Sequence, residues 1–207
     1  MGAWLMKTVM ADSLKVTVAR TLDQVVMAMT LRGVIYLGEQ QCPYEEEYEG
    51  NDFAAASHLI AWKGKEPVGV LRLRFFAGFA KVERAAVLKQ YRRDGVMRLL
   101  MQEALRYAAR RGYEKVLGHA QINRVKYWRT HGFQVRKDRP HFFFSDYEYV
   151  EIERKLVPPS NAITAETDPM VVIRPDGAWD EPGPSDRSLE RLNKPGKADK
   201  KEAEEAA

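Results

Sequence analysis

The sequence predicts a mixed α/β (α+β) domain with a central, mostly antiparallel sheet flanked by helices. Three observations carry that prediction. Period-two alternation of apolar and polar residues marks strands over 14–20 and 147–153. The tripeptide Lys63-Gly64-Lys65 separates two further strand candidates, 58–62 and 67–76, as a hairpin turn would. Beyond Gly78, an apolar run over 82–88 leads through a short basic loop into an amphipathic helix over 96–111, and then into a strand over 116–120. Hairpins followed by a strand–helix–strand crossover call for one sheet containing both kinds of pairing.

The elements follow in order. Thr21-Leu22-Asp23 provides an N-cap, and Val25, Val26, Met29, Leu31 and Ile35 keep helical spacing until Gly38. Residues 39–52 are acidic and loop-like, broken by Pro43, Gly50 and Asn51. Arg110 and Arg111 suit the negative end of the next helix, and Gly112 can take its left-handed cap. A short helix over 123–130 precedes His131-Gly132, and Phe133 opens another strand. The basic and aromatic stretch from Arg136 to Phe144 reads as a loop into the final strand, which is expected near the sheet edge. After Leu156, Pro158-Pro159-Ser160 marks a boundary. The implied organisation is an extension over 1–12, a domain over 13–157, a proline- and glycine-rich strap over 158–189, and a charged, disordered tail over 190–207. Within the strap, 170–174 is apolar enough to dock and Trp179 centres a turn-rich stretch, so 170–179 is expected to cover a groove or join a subunit interface.

Composition narrows the function. The 207 residues are 45% hydrophobic and 30% charged, an ordinary globular balance. A net charge of +4, evenly spread, does not argue for nucleic acid. No apolar run reaches the length of a membrane span, and the first ten residues lack the hydrophobic core of a signal peptide. One cysteine, Cys42, rules out an internal disulfide framework and fits a reducing cytoplasm. The four histidines are dispersed without paired ligand spacing, so no metal is expected.

The loop Tyr91-Arg92-Arg93-Asp94-Gly95-Val96-Met97 has the chemistry of an anion site. A helix start turns free backbone N–H groups outward, and Gly95 lets the main chain approach a phosphate. No lysine followed by serine or threonine comes after the glycine, so this is not a nucleoside-triphosphate loop. Together with two other stretches, the loop resembles the GNAT N-acetyltransferase superfamily. Arg92, Gly95 and Met97 stand at the three marked places of that family's acyl-coenzyme A signature, although the last is normally glycine or alanine. Residues 82–87 look like its fourth strand, and 126–133 look like its late aromatic helix and glycine-phenylalanine strand start.

The resemblance implies a fold with a splayed strand pair, acetyl-CoA as acyl donor, and direct transfer to a primary amine of a small molecule, peptide or protein. It places the cofactor against Ala85, Ala86, Val87, Arg92, Arg93, Asp94, Gly95, Val96, Met97 and Trp128. Glu83 and His119 are the candidate bases, since an alkylammonium must lose a proton before it can attack. The family's acid tyrosine falls at Trp128, which leaves the adjacent Tyr127 as the phenol at hand. Glu39, Glu47 and Asp52 on the acidic segment are expected to attract a cationic amine. Two alternatives stand beside this reading. Arg32, Tyr36, Glu47, Asp52, His58 and Arg72 loosely resemble acyl-homoserine-lactone synthases, which use acyl carrier protein. Met97 and Trp128 also leave room for a non-catalytic acyl-CoA-binding module. A homodimer is left open.

Overall fold

The computed structural model describes residues 13–144 and 146–188, so the 1–12 extension and the 190–207 tail lie outside the described residues. The chain divides into two compact units, the first ending at Ala162 and the second beginning at Ile163.

The first unit opens with β1 (Leu14–Val18) and α1 (Leu22–Arg32), which runs on as a π-helical stretch, Gly33–Glu39. After α2 (Tyr44–Glu47) come β2 (Ala56–Lys63), β3 (Glu66–Phe76) and β4 (Phe79–Val87). The basic loop and α3 (Val96–Arg110) lead to β5 (Lys115–Gln121), α4 (Val125–Thr130), β6 (Gln134–Val135), β7 (Phe142–Phe144) and β8 (Tyr147–Lys155). These strands form one sheet in the order β1-β2-β3-β4-β5-β8-β6, with β7 also on β8. The β4–β5 pair is parallel and every other pairing is antiparallel. Among the described residues no helix is long and apolar enough to cross a membrane.

Two details depart from the sequence reading. Phe142–Phe144 is a strand rather than loop, because three consecutive aromatics with high β propensity pair with β8. β8 itself lies near the sheet edge, as expected, with β5 on one side and the short β6 and β7 on the other. The segment 39–52 contains the helical turn α2, begun by Pro43 and stabilised by the Glu47 N–H bond to the Pro43 carbonyl at 3.2 Å.

Both faces of the sheet are covered. On one, α3 buries Val96, Leu100, Met101, Ala104 and Ala108, each with at most 1% exposure. Close approach there depends on Gly69, where a Cβ would come within 3.0 Å of Val96 and 3.1 Å of Leu100. On the other face Ala28, Leu31 and Ile35 pack on Ile60, Val70 and Ala86. Full burial of a valine or leucine contributes about 1.5–3 kcal/mol, so these two layers hold the sheet. Where α1 widens, the Gln40 N–H reaches back five residues to the Ile35 carbonyl at 3.0 Å, keeping Ile35 in the core.

The second unit is small. Its helix α5 (Pro169–Val172) is capped by Asp168, whose Oδ1 accepts from the Met170 amide at 2.7 Å, and Pro169 fixes the first helical φ. The apolar segment at 170–174 thus begins as a capped helical turn. Arg174 then donates both to Asp186 and, at 2.7 Å, to the Trp179 carbonyl.

Candidate active site

The parallel pairing of β4 with β5 covers only Ala80–Val116, Lys81–Leu117 and Val82–Gly118. Past that vertex β4 continues to Val87 with no strand among the described residues in register on its β5 side, so the backbone groups of residues 84–87 border a gap. Gly118 belongs at the vertex because a Cβ there would stand 3.1 Å from Val82 and 3.3 Å from Ile152.

A bulge shapes the open stretch. Val70 pairs with Ala86 and Arg72 with Glu83, so two residues of β4 face one of β3. Arg84 takes the strain with φ +49, a left-handed conformation unusual for a non-glycine residue. Tyr36, from the π-helical stretch, donates its hydroxyl to the Ala85 carbonyl at 3.0 Å and so ties α1 to the bulge. Burial, together with the Glu47 charge, holds this phenol above the usual tyrosine range.

At the far end of β4 the chain turns through Arg93, with φ +74, and Gly95, with φ +81, into α3. The first bond of that helix is Leu99 N–H to the Gly95 carbonyl at 3.0 Å, which leaves the amides of Val96, Met97 and Arg98 ahead of it. Nothing lies within 4 Å of where a Gly95 Cβ would be. An open left-handed turn feeding free amides at the positive end of a fifteen-residue helix fits a pyrophosphate. Arg92 is directed elsewhere: it donates to the Val87 carbonyl at 3.0 Å and to Glu39 at 2.5 Å.

Across the vertex, on the α1 face, charged side chains replace backbone. Arg32, fully buried, pairs with Glu47 and Asp52. Arg72, also fully buried, pairs with Asp52, Glu49 and Glu83. Arg84 reaches Glu47 at 3.1 Å and Glu49 at 2.9 Å, and donates to the Glu46 carbonyl at 2.5 Å. Burial alone would raise the Glu49 carboxyl, but bonding from Arg72 and the Arg84 charge bring it down to about 2. Asp52 is likewise lowered against its burial by Arg32 and Arg72. Glu47 goes the other way, because its burial outweighs Arg32. Burial lowers His58, whose Nε2 meets the Asp52 carbonyl at 3.1 Å.

Glu83 faces three cations: Arg72 at 3.2 Å, Lys81 at 3.2 Å and Arg74 at 3.7 Å. One register step past Val82–Gly118, His119 is exposed and meets Phe142 edge-on, with centroids 4.9 Å apart. Partial burial and the Lys81 ammonium hold His119 below the ordinary histidine value, outweighing Glu151 and Glu83. The ring is therefore neutral at neutral pH.

The family model described as "Acetyltransferase (GNAT) family" matches residues 27–133. The chain belongs to this family. A protein of Bacillus subtilis (strain 168) described as "Uncharacterized N-acetyltransferase YjcF" is 30% identical over 126 residues, covering 61% of this chain and 89% of that one. Among solved structures, an acyl-CoA N-acyltransferase from Pseudomonas aeruginosa matches with TM-score 0.62 and 26% identity over 69% of this chain and 99% of that one. An N-acetyltransferase from Lactobacillus plantarum shares the fold with TM-score 0.65 and 19% identity, over 70% of this chain and 99% of its own. The chain is a GNAT-type acyltransferase with the family's splayed sheet.

The structure draws together some of the residues expected from sequence and separates others. Glu83 and His119 flank the vertex, and Ala85, Ala86 and Val87 follow along the open edge. Val96 and Met97 stand at the start of α3, with Arg93, Asp94 and Gly95 just before it. Tyr127 is 43% exposed on α4 and packs on His131, while Trp128 turns edge-on to Phe133. Arg98, from the first turn of α3, lies close enough to act electrostatically on both Tyr127 and His131. The acidic segment behaves differently from expectation: Glu47 and Asp52 are buried against arginines, and Glu39 holds Arg92. Arg32, His58 and Arg72, with Glu47 and Asp52, form the buried cluster, and Tyr36 sits at its border with the bulge. Sequence reasoning passed over Arg74, Lys81 and Arg84. The available signal was the charged period-two stripe Arg72, Arg74 on one strand and Lys81, Glu83 on the next.

Proposed function

We propose that this GNAT enzyme transfers an acetyl group from acetyl-CoA directly to a primary amine. The observation that carries the reading is the end of β4–β5 pairing at Val82–Gly118, which opens a backbone-lined gap leading to the free amides of α3. Val96, Met97 and Arg98 amides would hold the pyrophosphate, and the edge of Ala85–Val87 would hold the pantetheine arm. When bound, the thioester supplies the acyl carbon, to which the amine nitrogen bonds as the carbon–sulfur bond breaks.

The chain's own groups manage the protons. His119, neutral and exposed at the vertex, accepts the proton that the alkylammonium must lose. Glu83 is already engaged by three cations, Arg72, Lys81 and Arg74. Tyr127 keeps its proton, since burial raises its phenol against the opposing Arg98 charge, and it can give that proton to the departing sulfur. Backbone amides of the open β4 edge, fixed by the bulge and Tyr36, stabilise charge on the acyl oxygen.

Thermal unfolding with acetyl-CoA, longer acyl-CoA thioesters and free CoA tests the reading. Ligand at a hundred times its Kd stabilises the fold by about 2.7 kcal/mol, so the midpoint rises measurably. Acetyl-CoA is expected to raise it at least as far as the longer thioesters. No rise with any thioester would defeat the proposal.

A further inference from the structure

The acidic segment does not present free carboxylates to a cation. Glu47, Glu49 and Asp52 are engaged by Arg32, Arg72 and Arg84. With Glu83, Arg74 and Lys81 included, five cations face four carboxylates, and the neutral His58 adds no charge. The surplus positive charge has a definite place. Arg32 and Arg72 are wholly buried, whereas Arg74 and Lys81 are 19% and 21% exposed and share Glu83 with Arg72. Three cations on one carboxylate leave donors over. Among the described residues the buried Nε atoms of Arg72 and Arg74 and the Oε1 of Glu83 make no hydrogen bond, so the donors within reach of a ligand are those of the partly exposed Arg74 and Lys81 side chains.

Position makes these donors relevant to catalysis. Arg74 and Lys81 are cross-strand partners, and Lys81 is in register with Leu117, two residues before His119 on the same face. Lys81 is close enough to His119 to depress its basicity. The Arg74 guanidinium lies over the Phe76 ring at 4.8 Å, and Phe76 stacks on Phe79, so an aromatic base steadies it. A planar guanidinium beside an ammonium is the donor set that recognises a carboxylate.

We propose that Arg74 and Lys81 form the carboxylate-binding half of the acceptor site, so that the acceptor is a small amine bearing a carboxylate, an amino acid, and not a polycation. The proposal rests on the acyltransferase reading. The carboxylate docks on Arg74 and Lys81, and its amine lies toward His119. The amine nitrogen loses one proton to His119 and bonds to the acyl carbon as the carbon–sulfur bond breaks; Tyr127 protonates the departing sulfur to the free thiol and is reprotonated by the second proton that the nitrogen gives up as it becomes the amide. The docked anion also raises the basicity of His119 by offsetting Lys81.

The experiment compares amino acids with their carboxamides and decarboxylated amines, measuring thiol release with acetyl-CoA. In parallel, the unfolding midpoint is followed with the N-acetyl amino acids. The acid form is expected to exceed its uncharged analogues by about a hundredfold or more in kcat/KM, because a site built around an anion strands its own donors without one. Lys81→Met should raise KM for carboxylate acceptors about tenfold or more and abolish the midpoint shift with N-acetyl amino acids, with Lys81→Arg restoring both. The shift with acetyl-CoA persists in Lys81→Met, and its absence from the wild-type protein would instead fault the acyltransferase reading. Better turnover of polyamines or decarboxylated amines overturns the proposal. So does the absence of both turnover and midpoint shift across the carboxylate panel.

Discussion

Along the open edge of β4 and at the start of α3 the functional groups are main-chain amides, whereas across the vertex they are arginine, lysine, glutamate and histidine side chains. The amide half depends on two turn conformations and the arrest of one strand pairing, all within residues 82–98. The side-chain half is assembled from α1, the acidic segment, β2, β3, β4 and β5. Backbone sites survive many side-chain changes, while a buried ionic cluster fails when one partner is lost. The two halves should therefore respond differently to substitution.

The largest effect is expected in the cluster. Arg72→Met leaves Glu49, Asp52 and Glu83 without their shared cation, and breaking a buried pair in this way costs about 3–5 kcal/mol. Urea unfolding reads it as a lower midpoint at unchanged slope. A midpoint equal to wild type would mean that the cluster contributes no more than surface charges do. Next, His119→Ala should lower kcat about a hundredfold with little change in stability, because the ring is exposed. In the wild-type rate profile the acid limb lies below the ordinary histidine value of about 6.5. If that limb survives His119→Ala and vanishes in Glu83→Gln, the base is Glu83.

The amide half responds more gently. Gly95→Ala meets no clash but must hold φ +81, at a cost of about 1–2 kcal/mol. Acetyl-CoA titration of the variant should show weaker binding, and unchanged affinity would remove the turn from the donor site. The mildest perturbation is acid. Glu49, Asp52 and His58 all have folded values lowered relative to the unfolded chain, so their stabilisation is complete above the unfolded values and fades as pH falls. His58 acts first, below about 6.5, and Glu49 follows between about 4.5 and 2, while Glu47, shifted upward, opposes them. Unfolding midpoints measured from pH 7 to pH 3 should decline, and a flat profile would deny the cluster its role.

The same division explains what could be read in the sequence. The 96–111 helix, the Lys63-Gly64-Lys65 hairpin and the glycine turn at Gly95 are local, and periodicity and turn chemistry revealed them. The strand pairing of Phe142–Phe144 and the pairing of Arg84 with Glu47 depend on partners settled only by the tertiary fold. Glu47 and Asp52 show where sequence runs out: expected on a loop-like acidic segment to attract a cationic amine, they are instead drawn inside by arginines from α1 and β3. His119 could be found as a residue, but its company of Lys81 and Phe142 could not.

The extra residue at Arg84 works like a change of reading frame within a strand. Before it, even-numbered Val82 lies on the α3 face with Gly118; after it, even-numbered Ala86 belongs to the α1 cluster, and odd-numbered Val87, opposite Gly69, takes the α3 side. Deleting a single residue here would restore regular alternation and leave Ala86 opposite Val70 and Val87 opposite Gly69, on the faces they now hold. What would be lost is the bulge itself, with the left-handed turn at Arg84 and the Ala85 carbonyl that accepts from Tyr36 beside the gap. The length of this short stretch is thus as tightly constrained as its composition.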